Sequence, residues 1–398
     1  MTRHMTRAAA AAAVVLAASA ATAQEQPAVG PGWTFTPSFG FSETYDDNVT
    51  LFGRTDVGTA NNDLISVYTP QADLTFIGRR TRVNGGYSGS LLDYQTFSLF
   101  NRWDQHAQIG LRRIESRRIS WSLQGNVTLT PSTDAMEFDG IPFSHTGART
   151  VTLRGMLDYR VSQRDTISTS LIRQQVTFDR PDELLPYLRG GESIESFTSY
   201  RRHLNSRIGL GGTYSLRNSS SVGELEHLTF HGVRAEVDYQ LTPVWNVRGG
   251  AGVDYVPATL ITPAQHAPGF SGSVDWAQRS RGFHAGYQRM FMPSFGIGGA
   301  VESQDLTASY HTPLFNSRRI YSEQSLSWRD NKPLVLTPGR LRLRTTRIRA
   351  AIGYAPRPWI RMEGFYSKAF QTTLIPGGDI DRNRIGFVIT TSRPVRMQ

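Results

Sequence analysis

The feature that most constrains this chain is a period-two alternation held over long segments. From Ile119 to Leu129 the odd positions Ile119, Trp121, Leu123, Gly125, Val127 and Leu129 are apolar or glycine, and Ser120, Ser122, Gln124, Asn126 and Thr128 between them are polar. A helix would scatter the apolar set around its circumference, whereas a strand places it on one face. The same pattern runs through Trp33, Phe35, Phe39 and Phe41, through Val151, Leu153, Gly155, Leu157, Tyr159 and Val161, and through Phe270, Gly272, Val274 and Trp276. It returns in Ile348, Ala350, Ile352 and Tyr354. No segment of comparable length carries a helical stripe, so the chain reads as all-β.

Segment length selects the kind of all-β chain. Globular strands average ~5–6 residues, and strands crossing an outer membrane need ~9–11. The segments here run roughly 10 to 13 residues, close to the membrane-crossing value. Short connections such as Gly78–Thr81, Ile114–Ser116, Ser162–Asp165, Leu241–Pro243, Gln278–Arg281 and Ala355–Pro358 alternate with long polar ones at 46–62, 131–144, 179–194, 217–226, 257–267, 329–339 and 369–380. Short turns at one end and long loops at the other characterise outer-membrane barrels. Eighteen segments are counted, or sixteen if 195–203 and 303–312 are not strands. The expectation is a single closed antiparallel up-and-down transmembrane β-barrel with periplasmic turns and extracellular loops. In the segment 64–77 the apolar phase changes from Ile65 and Val67 to Ala72, Leu74 and Phe76, which predicts a bulge at Thr69-Pro70. With 39% hydrophobic residues and a mean hydropathy of −0.35, a bundle of membrane helices is excluded.

Residues 1–23 have the layout of a secretory signal. Arg3 and Arg7 precede an apolar run, Ala8–Ala18, about half the ~20 residues of a spanning helix, and Ala21-Thr22-Ala23 presents small residues for cleavage. Residues 24–398 then form one barrel domain, with no linker or repeat marking a second. The absence of Cys removes disulfides, thiolate metal sites and cysteine nucleophiles. The net charge of +10 comes almost wholly from Arg, with no basic low-complexity run, so nucleic acid is not an expected partner.

At Tyr45-Asp46-Asp47-Asn48-Val49 the chain resembles a family of β-barrel porins associated with envelope and exopolysaccharide functions. Members open on a strand ending in a Tyr-x-Asp-Asn-aliphatic motif, continue to a Pro-containing second strand, here Thr69-Pro70, and close on a strand like Arg382-Asn383-Arg384-Ile385-Gly386. The resemblance implies an outer-membrane barrel in a Gram-negative-type envelope, with membrane lipid, the barrel assembly machinery and envelope polysaccharide export components as partners. It implies no catalytic residues and no cofactor. One departure is that the chain ends Arg393-Pro394-Val395-Arg396-Met397-Gln398, without the terminal aromatic such barrels commonly carry.

Candidate site residues follow from the alternation. Trp33, Tyr45, Trp103, Tyr159, Tyr239, Trp245, Tyr255, Trp276, Tyr287, Tyr354 and Trp359 fall near strand ends, as an interfacial girdle would place them; ordinary β-propensity would enrich aromatics without that end placement, so the girdle is the favoured reading. On polar faces, Arg154, Arg234, Arg248, Arg347 and Arg349, with Asp158, Glu236, Asp254 and Asp275, are expected to line the lumen, either as a selectivity field or as mutually neutralising pairs. Arg80, Arg113, Arg117, Arg164, Arg202, Arg207, Arg279, Arg281, Arg318 and Arg357 gather at the short turns. Ser88 and Ser271 lack the spacing of a nucleophile elbow. His227 with His231, and Asp46, Asp47 and Asn48 with Asp56, are weak metal candidates, better read as exposed histidines and turn residues. No metal is expected.

A register can also be written for the connection at Leu241–Pro243. If Gln240 pairs with Val244, Tyr239 faces Trp245, Val237 faces Val247, Glu236 faces Arg248 and Asp238 faces Asn246. The functional expectation is a passive channel for small hydrophilic or anionic solutes, or a barrel serving polysaccharide export. The rivals are a structural or adhesion barrel with a filled lumen, acting through its outer loops, and a rim enzyme.

Overall fold

The computed structural model describes residues 31–51, 61–130, 147–179, 190–221, 227–260, 262–295, 299–315, 317, 319–335, 342–373 and 379–397. The segment 1–23, read as a signal, lies outside them. The strands, in chain order, are β1 (Gly32–Asp46), β2 (Asp63–Ile77), β3 (Thr81–Tyr94), β4 (Arg102–Ile114), β5 (Ile119–Thr130) and β6 (Ala148–Arg160). They continue as β7 (Asp165–Phe178), β8 (Gly191–His203), β9 (Ile208–Ser221), β10 (His227–Thr242), β11 (Trp245–Val256) and β12 (Gln265–Gln278). The last are β13 (Arg281–Pro293), β14 (Ala300–Pro313), β15 (Ile320–Pro333), β16 (Leu343–Arg357), β17 (Ile360–Thr373), β18 (Ile380–Ser392) and the three-residue β19 (Val395–Met397).

Each strand pairs antiparallel with its sequence neighbour, and β1 pairs with both β2 and β18, closing an eighteen-strand barrel. Both doubtful segments, at 195–203 and 303–312, are full strands. β19 extends the closing seam: Met397 stands opposite Trp33. The main strands run 12 to 16 residues, longer than the alternation suggested, because many continue into the long connections.

Short side chains set the tight turns. Ser116 Oγ accepts from the backbone N–H of Arg118 and Ile119, Ser162 Oγ from Arg164 and Asp165, and Asn205 Oδ1 from Arg207 and Ile208. Thr242 Oγ1 does the same for Val244 and Trp245. Such side chains imitate a backbone turn, and they fix where each hairpin reverses.

Cross-strand partners share a face, so the pairing separates the two sides of the wall. Ile109, Leu123, Leu153, Leu171, Val233, Ile352 and Ile385 all fall on the outer face and are exposed there. The inner face is polar, with two apolar exceptions near the long-loop end. One joins Val49, Ile65 and Tyr94 with Val67, Leu92, Phe97 and Phe100; the other joins Leu228, Phe230, Val256, Phe291 and Ala300.

The first cluster corrects the expected bulge. The β1–β2 register runs unbroken from Gly32↔Ile77 to Asp46↔Asp63, and Thr69-Pro70 inserts no extra residue. The apolar phase changes because Ile65 and Val67 point inward to pack beneath the long loops, while Leu74 and Phe76 point outward.

The second cluster marks an inward fold. β13 stops pairing with β12 at Phe270↔Arg289, and the end of β13 then crosses the inner side of β10 and β11. Arg234 Nη2 donates to the Arg289 carbonyl at 3.4 Å, and the Phe291 backbone N–H donates to the Asp254 carboxylate. Beyond it, the Phe295 ring lies so close to Gly191 that a Cβ there would meet Cε1 at 2.7 Å. The barrel is therefore narrowed on this side at its long-loop end.

Candidate functional site: the inner wall

By the cross-strand register, Arg154 and Asp158 on β6, Arg234 and Glu236 on β10, Arg248 and Asp254 on β11, Asp275 on β12, and Arg347 and Arg349 on β16 lie on the face opposite the exposed apolar row. The structure brings most of them into pairs. Arg234 Nη2 lies 3.1 Å from both Asp254 oxygens, and both side chains are largely buried. Arg248 reaches Asp275 at 3.4 Å and Asp238 at 3.7 Å, and His284 Nδ1 meets the other Asp275 oxygen at 2.7 Å. Arg217 pairs with Glu195, Arg329 with Asp305 and Arg349 with Glu363. The pairs form an almost continuous belt from β8 to β17.

The β10–β11 register differs from the expected one by two residues. Asp238, not Glu236, stands opposite Arg248, and Glu236 stands opposite Gly250; Tyr239 faces Val247 and Val237 faces Gly249. Because Thr242 caps the turn, β10 runs to Thr242, which pairs with Trp245 after an irregularity between Gln240 and Thr242. A two-residue slip leaves every side chain on its expected face and changes only its partner. Glu236 accepts from Thr213 Oγ1 at 2.8 Å and has Arg201 at 4.0 Å.

The motif residues at the two ends of the chain meet at the seam. Asp46, fully buried, takes Arg382 Nε at 2.8 and 3.0 Å, Arg382 Nη2 at 2.5 Å and Arg384 Nε at 2.8 Å. Asp47 accepts from the Asn383 backbone N–H at 2.6 Å and its side-chain amide at 2.7 Å, and Asn48 donates to the Asp381 carbonyl. Asp46 and Asp47 are thus seam residues rather than simple turn formers; Asp56 lies outside the described residues. Further round, Asp330 holds Arg342 and Arg344, and the guanidinium of Arg342, in the loop before β16, has its pKa raised by that hydrogen bond.

On a different arc, cations stand outside ion pairs. On β3 and β4, Arg82 and Arg112 are direct cross-strand partners on the inner face, and Arg154 lies on the same face two strands on. Among the described residues none of the three has a carboxylate within ion-pair reach, and Asp158 is taken by Ser120 and Ser168 at 3.3 and 2.7 Å. Sequence reasoning missed Arg82 and Arg112 as inner residues because they adjoin turns; the outward Val83 and Leu111 beside them carried the signal. Arg347 and Arg349, with Arg382 and Arg384, line a cleft of about 530 Å³ on the other side of the seam.

Trp245 and Trp276 stand opposite each other on the outer face at a 6.0 Å ring separation, whereas Trp359 lies in the turn between β16 and β17, outside any cross-strand pair. Ser88 stands opposite His106, but that imidazole is 3.0 Å from Thr128 Oγ1, and Asp104 is engaged by Arg102 and Thr130, so no serine–histidine–carboxylate relay forms there. His231 bonds Tyr214 OH at 3.0 Å.

No family model and no curated protein matches the chain. Solved structures similar to it include OpdO of Pseudomonas aeruginosa, at 10% identity and a TM-score of 0.48, over 92% of this chain and 98% of that one. OccAB4 of Acinetobacter baumannii is similar at 9% identity and a TM-score of 0.48, covering 93% and 100%.

Proposed function

We propose that the protein is an outer-membrane channel that passes small hydrophilic solutes and favours anions, or anionic stretches of an envelope polysaccharide, over cations. Lipid bathes the outer face, barrel assembly machinery inserts the chain after signal cleavage, and the short turns face the periplasm. The observation that carries the reading is the combination of an apolar, exposed outer wall with a polar inner wall on which Arg82, Arg112 and Arg154 stand, among the described residues, outside ion pairs. Like charges placed directly opposite disfavour each other, and a passing anion relieves that repulsion. Lumen charges act in this way on selectivity.

The filled-lumen reading draws on the inward end of β13 and Phe295. Planar-bilayer conductance separates the two. A channel gives unitary steps and, in a salt gradient, a reversal potential of the anion-selective sign; a filled barrel gives neither. Liposome swelling with neutral, anionic and cationic solutes then ranks the passengers.

A further inference from the structure

The short-turn end has a charge pattern that conduction does not use. Of the eight short connections, all but Thr242–Trp245 carry an exposed arginine in or beside the turn. The acids there are Glu115 and Asp165, paired with Arg113 and Arg202. Four of these arginines sit in the outer rows of the wall, not over its opening. Arg113 stands opposite Trp121, Arg202 lies two residues beyond Tyr200 on the same face, and Arg281 lies two beyond Phe283, which faces Trp276. Arg357 lies with its guanidinium 5.7 Å over the Trp359 ring.

We infer that this rim, through Arg113, Arg202, Arg281 and Arg357, holds the phosphates of anionic phospholipid headgroups in the leaflet around the short turns. The inference rests on the membrane reading above. Aromatic rings settle at headgroup depth, so a guanidinium one step past them reaches the phosphate layer. The fork geometry of Arg matches phosphate, and a basic residue near an anionic surface attracts it even in physiological salt. A soluble polyanion entering the mouth would instead meet inward residues such as Arg160 and Arg319.

The test reconstitutes the full chain into nanodiscs of phosphatidylcholine with about a quarter phosphatidylglycerol, then counts lipids retained after mild extraction by native mass spectrometry. The expected result is a ratio of retained phosphatidylglycerol to phosphatidylcholine roughly fivefold above that of the disc, as about 1 kcal/mol from one arginine at an anionic surface supports. Enrichment falls to the bulk share in Arg113→Gln/Arg202→Gln/Arg281→Gln/Arg357→Gln, and falls by a smaller factor in Arg281→Gln/Arg357→Gln. Enrichment also falls for the unmodified chain in about 1 M salt, where the screening length is ~3 Å. A barrel that inserts, shown by protease protection and heat-modifiable gel mobility, yet retains phosphatidylglycerol only at its bulk share overturns the headgroup assignment alone. Equal enrichment in the fourfold variant, or loss of enrichment to excess inorganic phosphate at constant ionic strength, overturns it as well. Failure to insert into any lipid overturns the membrane reading and this inference together.

Discussion

Arg234 and Arg154 look alike in the sequence: each is a cation on the polar face of an alternating strand. Their surroundings separate them. Arg234 lies largely buried against Asp254 and a backbone carbonyl, inside a belt of ion pairs that runs from β8 round to the seam. Arg154 lies exposed on an arc where Arg82 faces Arg112 and, among the described residues, no carboxylate is within ion-pair reach of the three. Paired cations hold strands and the inward β13 in place; unpaired ones leave their field to whatever enters. The wall divides its arginines between architecture and passage, and the division is made by cross-strand neighbours.

The largest expected effect is at the seam, where the paired surface is most buried. Asp46→Ala leaves the Arg382 guanidinium buried without its acid, and breaking such a pair costs about 3–5 kcal/mol. Urea midpoints of refolded barrels should fall accordingly, and Asp46→Ala/Arg382→Met should recover part of the loss. A single variant as stable as the parent would show that the pair does not hold the seam.

Next in size is the contrast between the faces of β5 on the unpaired arc. Leu123→Arg puts a charge on the outer wall and should cost ~2–4 kcal/mol in lipid, while the inward Gln124→Arg is tolerated. Equal damage from both would point to a soluble sandwich packed on two faces.

Smaller again is the effect of Arg112→Gln. A unit charge at contact distance in water is worth about 1 kcal/mol, roughly a fivefold change in local anion occupancy. The reversal potential in a salt gradient should move toward neutrality. Stability should hold or rise slightly, since Arg82 loses a like-charged neighbour. By contrast Arg234→Gln, on the paired side, should lower stability and leave selectivity nearly unchanged.

What could be read in advance follows from the same distinction. Side-chain alternation depends on one strand alone, so the division of each strand into two faces and the strand number were legible. Partners depend on two strands and the turn between them, and there a cap such as Thr242 moves the register by two. Contacts between residues over 300 positions apart, such as Asp46 with Arg382, leave no periodic mark; only the first- and last-strand motifs hinted at them. The inward course of β13 was invisible, because nothing in the alternation sets Phe291 and Phe295 apart from the other aromatics.

The smallest effect tests that register directly. In the structure Arg248 stands opposite Asp238, with Nε 3.7 Å from Oδ1, and Glu236 is two residues away opposite Gly250. A double-mutant cycle on Arg248→Ala and Asp238→Ala should give a coupling of ~0.2–1 kcal/mol, at the low end because Arg248 is about half exposed and shares itself with Asp275. The cycle on Arg248→Ala and Glu236→Ala should give nearly none, since Glu236 is held by Thr213 and Arg201. The pairing expected from a turn centred on Thr242 reverses this order. Coupling to Glu236 larger than coupling to Asp238 would therefore place the hairpin two residues out of the register described, and with it the assignment of Arg248 to the paired surface.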